Sequence, residues 1–576
     1  MSIRKKEYQH KSAKISMDQR YCHLSALRIG FIVIVSVFLV LPSLASAAEL
    51  LERVDFFVDP SYDLENREKI TAVLQRVSDQ LYFYIDVKWL DSLKIEEQKK
   101  VNAALAELTY EFENKIYPIL TQNYGSEWKP GIDKDNRITI LIHPTIEQLS
   151  GYFNPGDEYP RAQVIASNER EMLYLNANNI TNPLNKSFLA HEFTHLITFN
   201  QKDRIYGISE DVWLNEMRAE YAPTLVGYNQ AYQNSYLQKR VRDFLDNPRD
   251  SLTEWQNKIS DYGVINLFSH YLVDHYGKEI LIDSLRSGKV GVASINESLK
   301  KNGFQEDFSQ IFIDWTIAAF VNDCKTGPKY CYLDENLNSL KITPFIYYLP
   351  TTGESTLSVG YLTKEWVGNW QKIIGGQSSI KLEFIGNPQT QFKVPYLVEY
   401  LDGSKKIDFL TLDQNQKGTI YIADGKIISL TIIPSAQKKT SNFLENEPSY
   451  QFSWSATSEK STEGNAELIQ QLQNTIKELL AQIASLQAQI TTLLGQSAVC
   501  QGFNNNLYYG IRDNLEVRCL QQFLKNQGSD IYPEGLVTGN FLNLTLEAVK
   551  KYQAKKGIIQ TGYFGPLTRA AANNEL

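Results

Sequence analysis

The sequence predicts a multidomain fold. An α+β unit covers residues 48–345, an antiparallel β-sandwich 346–455, a linker 456–464, a coiled-coil helix 465–495 and a small all-α bundle 498–576. Three observations carry this division. Helical periodicity dominates after residue 186, short alternating runs broken by turn residues begin near 346, and a regular three-and-four spacing of Ile and Leu follows them. A chain of 576 residues also exceeds what one hydrophobic core supports.

The start of the chain sets the compartment. Seven basic residues (Arg4, Lys5, Lys6, Lys11, Lys14, Arg20, Arg28) precede the 13-residue apolar run Ile29–Leu41, and Ala45-Ser46-Ala47 follows it. The run is short for a membrane span, so residues 1–47 read as a Sec-type signal peptide. The mature chain is therefore expected outside the cytoplasm of a bacterium, secreted or attached to the envelope. Loss of residues 1–47 takes the net charge from −8 to −13, a balance that argues against nucleic acid as a partner. Four cysteines remain in two local pairs. An oxidising compartment favours disulfides Cys324 with Cys331 and Cys500 with Cys519.

Within the first unit, a helix is expected over Glu96–Tyr117 and a strand over Arg137–His143. The stretch Gly131–Asn136 before that strand reads as a polar turn or as a calcium loop with Asp133 and Asp135 as oxygen ligands. The strongest signal follows. His191-Glu192-Phe193-Thr194-His195 places two imidazoles four residues apart, on one face of a helix. Histidine is scarce, 7 of 576 residues, which makes an accidental pair at that spacing unattractive. Zn²⁺ in a catalytic site takes three protein ligands and leaves a position for water. Glu216, on a following helix expected to run from an N-cap at Ser209 to Pro223, supplies the third. Glu192 is placed to act as general base, and Glu220, one turn past Glu216, to orient a ligating imidazole with Asn215 beside it.

HExxH followed by Trp213-Leu214-Asn215-Glu216 and Ala219-Glu220-Tyr221 resembles the gluzincin metallopeptidases, the thermolysin-like group, and within it the hyicolysin-like enzymes. That resemblance implies a zincin-type catalytic domain with zinc on His191, His195 and Glu216, and with Glu192 activating water. It also implies an edge strand that pairs with extended peptide, here assigned to Met172, Leu173, Tyr174 and Leu175. A Tyr or His from a later helix is expected to stabilise the oxyanion, and Tyr262 and His270 both qualify by type. A metzincin site needs Gly at 198 and His at 201, where this chain has Thr198 and Gln201.

The sandwich reading rests on the runs Ser379–Phe384, Phe392–Tyr400, Lys406–Leu412 and Gly418–Ile422, with Asp402-Gly403 and Asp424-Gly425 as turns. As a role it admits spacer, carbohydrate binder or substrate-positioning domain. In the next segment Ile469, Ile476, Ile483 and Ile490 occupy a positions, and Leu472, Leu479, Leu486 and Leu493 occupy d positions. That choice favours a two-stranded coiled coil and a homodimer.

The last 77 residues repeat a motif. Thr538-Gly539-Asn540-Phe541 with Thr545 recurs as Thr561-Gly562-Tyr563-Phe564 with Thr568. Together with Glu516–Leu524 upstream, the order resembles the peptidoglycan-binding-like domain over almost its whole length. Leu542-Asn543 stands where Gly-Pro is more usual. Three readings follow: a secreted zinc endopeptidase held at the cell wall, a remodeller that cuts peptidoglycan stem-peptide cross-links, and a non-catalytic wall-binding scaffold. Peptide and wall glycan are the expected partners.

Overall fold

The computed structural model describes residues 50–147, 149–350, 354–375, 379–423, 426–458, 502–512 and 514–576. The expected signal peptide, the heptad segment, Cys500 and most of the expected linker lie outside the described residues. Among the described residues no helix is long and apolar enough to cross a membrane.

A six-stranded sheet opens the chain: β1 (Arg53–Phe57), β2 (Lys69–Val77), β3 (Leu81–Asp86), β4 (Ile138–His143), β5 (Gly151–Tyr152) and β6 (Met172–Asn176), in the order β1-β2-β3-β4-β6-β5. β3, β4 and β6 form a parallel centre, and every residue in them is buried. Strands covered on both faces read as continuous apolar runs, which is how LYFYID, ITILIH and MLYLN read.

Helices α1 (Val87–Ser92), α2 (Ile95–Glu111) and α3 (Tyr117–Tyr124) connect β3 to β4. The expected single helix is broken by a π-helical turn at Phe112–Ile116, which buries Phe112 and Ile116. After β6 come α4 (Asn185–Thr198), α5 (Val212–Val226), α6 (Tyr236–Asp246), α7 (Ile259–Tyr276), α8 (Glu279–Leu285), α9 (Gly291–Lys301) and α10 (Phe308–Val321). All of α4 except Lys186 is buried, as expected of a helix that runs through a core. Two expected ends of α5 shift. Ser209 hydrogen-bonds Asp203 instead of capping, and the helix passes Pro223 before stopping at Gly227, whose left-handed backbone (φ 94°) bonds back to the last turn.

Three further sheets follow, of four strands, of five, and a two-stranded one that pairs Phe392–Lys393 with Ser435–Ala436. Leu382, Phe384 and Trp454 from the first share one core with Ile373, Val398, Leu430 and Ile432 from the second. Pairing is antiparallel except where Phe345–Leu349 runs parallel to Gln371–Gly375. This region is not a separate bead. Trp366, Trp370, Leu397 and Ile433 belong to the same core as α4–α10, and Trp370 Nε1 donates to Thr316 O at 2.8 Å.

Cys324 and Cys331 are joined by a disulfide, as expected. Cys519 is also disulfide-bonded. The last region has helices Leu515–Asn526, Asn543–Lys555 and Pro566–Asn573, and the repeat has one physical basis. Buried Gln521 donates to Asn540 O and Thr545 Oγ1 and accepts from Thr538 N and Gly539 N. Gln553 does the same for Tyr563 O, Thr568 Oγ1 and Gly562 N.

Asp133 and Asp135, expected as possible calcium ligands, are occupied otherwise. Asp133 accepts from Asp135 N, while Asp135 accepts from Arg137 N and the Tyr82 hydroxyl. These bonds make the segment a capped turn. Beside it lies a buried acidic pair, Glu158 and Glu171, each 2% exposed. A Cβ at Gly131 would overlap the Glu171 carboxylate. Burial, and then the charge of Glu171, push the Glu158 pKa up. A carboxyl whose folded pKa is raised stabilises the fold below its unfolded pKa, and that contribution is lost as pH rises through the folded value. Glu158→Gln should therefore raise the melting temperature at pH 8 by about 2–4 °C per kcal/mol of the cost of keeping that carboxyl protonated, and much less at pH 5. An equal shift at both pH values in calorimetry would show that charge burial is not the cause.

Candidate active site

α4 and α5 pack side by side and bring three side chains together. His191 and His195, one turn apart on α4, point their Nε2 atoms at a common space and approach to 3.1 Å. Glu216 on α5 closes it, with Oε2 3.3 Å from His191 Nε2 and Oε1 3.6 Å from His195 Nε2. The ligand atoms of all three lie within 4.8 Å of one another. Glu216 Oε2 is buried with no hydrogen-bond donor, an arrangement that costs free energy unless a cation meets it. Two imidazoles and a carboxylate form a nitrogen–oxygen donor set suited to a tetrahedral metal.

The other ring nitrogens are held from behind. Glu220 Oε1 lies 3.3 Å from His191 Nδ1, and Asn215 Oδ1 lies 3.2 Å from His195 Nδ1. With these acceptors on Nδ1, both imidazoles keep Nε2 free as a ligand. Glu220 has no exposed surface and is the centre of its own network. Arg240 of α6 donates to it twice, at 2.6 and 2.7 Å, Tyr236 donates at 2.5 Å, and Asn266 of α7 binds its backbone oxygen at 3.1 Å. The sequence reading missed Arg240, Tyr236 and Asn266. A signal existed: α6 buries Tyr236, Leu237, Arg240, Val241 and Phe244, so an arginine sits in an apolar helical stripe, where a charge needs a buried partner.

Electrostatics follow from this geometry. Glu192, Glu216 and Glu220 bring three carboxylates against one guanidinium, an excess that a divalent cation offsets. Burial opposes a charge on His191, but Glu216 and Glu220 outweigh it and push its pKa up to about 10. Burial also opposes charge on Glu220, yet Arg240 and His191 hold its pKa down at about 2. Glu192 is buried, which raises its pKa, with His191 and His195 acting in the opposite sense.

Glu192 faces the sheet edge, and here one expectation is corrected. Met172, Leu173, Tyr174 and Leu175 do not form an edge strand: β6 lies between β4 and β5 and is fully buried. The edge is the two-residue β5, antiparallel to β6 with Gly151 opposite Leu175 and Tyr152 opposite Tyr174. A Cβ at Gly151 would come within 3.1 Å of Glu192 Cγ and Oε1, so this strand approaches the carboxylate as closely as a glycine allows. So short a strand carries too little period to be read in sequence.

Tyr262 lies in the first turn of α7. Its ring is 4.6 Å from the Arg240 guanidinium and its hydroxyl donates to Asn257 Oδ1 at 2.8 Å. Burial, then the charge of Glu216, raise its pKa, so the phenol shares the field of the metal-type cluster. His270 does not join it. Eight residues further along α7, about 12 Å on a helix, it packs on Tyr221, and its Nε2 lies 3.1 Å from Thr224 Oγ1. Tyr62, not singled out in the sequence, meets Tyr152 at a tilt of 58° with ring centroids 5.1 Å apart, and its pKa is raised by burial and by Asp59, Glu216 and Glu192.

If Glu220 and Arg240 orient His191, Arg240→Met should weaken divalent metal binding about 10–100-fold and lower the melting temperature, because it leaves the buried Glu220 charge without its cationic partner. Competition against a chromogenic chelator measures this, and an unchanged metal affinity would refute the role.

Comparison with known proteins finds two likenesses. Residues 513–572 match the family model of a putative peptidoglycan binding domain. The neutral metalloprotease ShpI of Staphylococcus hyicus is 30% identical over 209 residues, covering 30% of this chain and 44% of that protein. The chain thus spans less than half the length of that relative. A segment homologous to a metalloprotease and a module of the peptidoglycan-binding type are joined in one polypeptide.

Proposed function

We propose that this chain is a secreted zinc endopeptidase held at the bacterial cell wall by its C-terminal module. The observation that carries the reading is the convergence of His191, His195 and Glu216 beside the buried carboxylate of Glu192. Homology to a neutral metalloprotease supports peptide hydrolysis, and the match over residues 513–572 supports the wall as location. The heptad segment would make the protein a dimer.

When bound at these three ligands, zinc supplies Lewis acidity that lowers the pKa of water and polarises a carbonyl. The chain's own residues do the rest. Glu192 accepts a proton from the attacking water and later returns it to the leaving amine, the role of one general base and acid in turn. Asn215 and Glu220 hold the imidazoles so that Nε2 of each stays directed inward. The free side of β5 offers backbone groups to an extended peptide beside Glu192, a pairing of the β-augmentation kind. Tyr262 stands next to the cluster as the hydroxyl donor nearest in type to what a developing oxyanion requires.

A second reading has one specific observation in its favour. The C-terminal match to a peptidoglycan binding domain supports it, with stem-peptide cross-links as the alternative substrate. Metal analysis of the purified protein, with casein and purified peptidoglycan as substrates, separates the two. One zinc per chain and cleavage of casein are expected. Release of stem peptides alone would favour the remodeller, and neither activity in a folded protein would leave a binding scaffold. Glu192→Gln should lower kcat/KM by about 10²–10⁴ with zinc retained, and Glu216→Ala should lose the metal. Undiminished turnover in the first variant, or unaltered zinc content in the second, would remove those residues from their roles.

A further inference from the structure

One cavity lies outside the metal-type cluster but is wired to it. Trp255, Gln256 and Asn257, just before α7, face Glu445 and Asn446 of the two-sheet region across a cavity of about 300 Å³. The halves are stitched together: Gln256 Nε2 donates to Asn446 Oδ1 at 2.9 Å. The near wall is fixed, since Gln256 N and Lys258 N both donate to Asp261 Oδ2 in the first turn of α7. The far wall is fixed as well, since buried Glu447 N donates to Glu254 Oε1 at 2.7 Å.

The link to the cluster is a short chain of contacts. Asn257 accepts the Tyr262 hydroxyl, and the Trp255 and Tyr262 rings meet edge to face at 4.9 Å. Tyr262 lies against Arg240, and Arg240 is bound to Glu220, which holds His191. Through Tyr262, whose hydroxyl meets Asn257 and whose ring lies on Arg240, the cavity adjoins the network that holds the cluster.

Its chemistry selects an occupant. Trp255 gives an aromatic wall, and Gln256, Asn257 and Asn446 give amides. Glu445 is an exposed carboxylate that makes no ion pair or hydrogen bond among the described residues. Lys439 is committed to Glu447 and Lys364 to Glu254. An unneutralised carboxylate beside an indole is the combination that holds a long cationic side chain, by charge at its tip and by cation–π contact along its length.

We infer that the cavity between Trp255–Asn257 and Glu445–Asn446 is a substrate subsite for a lysine or arginine side chain, so that the two-sheet region helps set the specificity of cleavage. The inference rests on the peptidase reading above. It gives the two-sheet region a function in recognition, beyond that of a spacer.

The test uses the full-length, zinc-loaded protein and quenched fluorescent peptides that carry Ala, Glu, Lys or Arg at each position around the scissile bond. At one position Lys and Arg should exceed Ala in kcat/KM by about tenfold. Glu445→Gln should bring that ratio close to one, and Glu445→Lys should turn the preference toward Glu. A wild-type ratio of one at every position, or an unchanged preference in Glu445→Lys, would overturn the subsite. If no peptide is cleaved, the peptidase reading itself fails. The subsite is then judged by Kd for the same peptides, and equal Kd for Lys and Ala peptides would overturn it.

Discussion

Glu220 accepts hydrogen bonds inside the protein from two helices besides its own and lies against His191 of a third, and the arrangement of the site depends on this one carboxylate. It takes Arg240 and Tyr236 from α6 and Asn266 from α7, and it turns its remaining reach toward His191 on α4. A charge with no exposed surface is tolerated only when its partners are complete, because an unpaired one carries the full cost of desolvation. The requirement works in both directions. The guanidinium of Arg240 is buried too, so neither helix can shift without leaving a charge exposed to an apolar core. Glu220 thereby converts helix packing into an orientation for one imidazole ring.

The rest of the molecule supports this point. α4 passes through the core with nearly every residue buried, which fixes the spacing of His191 and His195 independently of any ion. The core continues without a break into the two-sheet region through Trp366 and Trp370, and Trp366 packs edge to face against Phe308 and Phe312 of α10. Such a junction transmits position in the way a domain interior does. It is why residues as distant in sequence as Gln256 and Asn446 meet at a defined distance.

What was legible in the sequence follows the range of each interaction. His191 with His195, and Glu216 with Glu220, were readable because each pair is a helical spacing, the two pairs being joined by the resemblance of their motifs, and the repeat around Thr538 and Thr561 because it is local. Gln521 and Gln553, which make that repeat work, sit 17 and 8 residues before their threonines and have no fixed offset to reveal them. Arg240 was hidden for the same reason: its partner is 20 residues away, on another helix. The strand Met172–Leu175 was found, but its place in the sheet was misassigned, although its unbroken apolar run already marks an interior strand. Asp133 and Asp135 look like ligands in composition, and only their bonds to Asp135 N, Arg137 N and Tyr82 identify a turn.

β5 presents a last physical question, because two residues give too few ladder bonds to hold a strand in place. Its side chains make up the difference. Tyr152 stacks on Tyr174 with centroids 4.1 Å apart and planes 8° from parallel, and its hydroxyl lies 3.2 Å from His143 Nε2. His143 is fully buried, and its Nδ1 lies 3.1 Å from Asp63, which Arg67 clamps in turn. Behind the stack, the Tyr174 hydroxyl donates to Asp157 at 2.6 Å and accepts from Asn168 at 2.9 Å. Each polar atom of this assembly is satisfied by the next, so the edge is held by a network instead of a long ladder. The backbone of Gly151 can then lie against Glu192 with one side of the strand unpaired, which a longer, self-sufficient strand would achieve only by presenting a broad open edge to other chains.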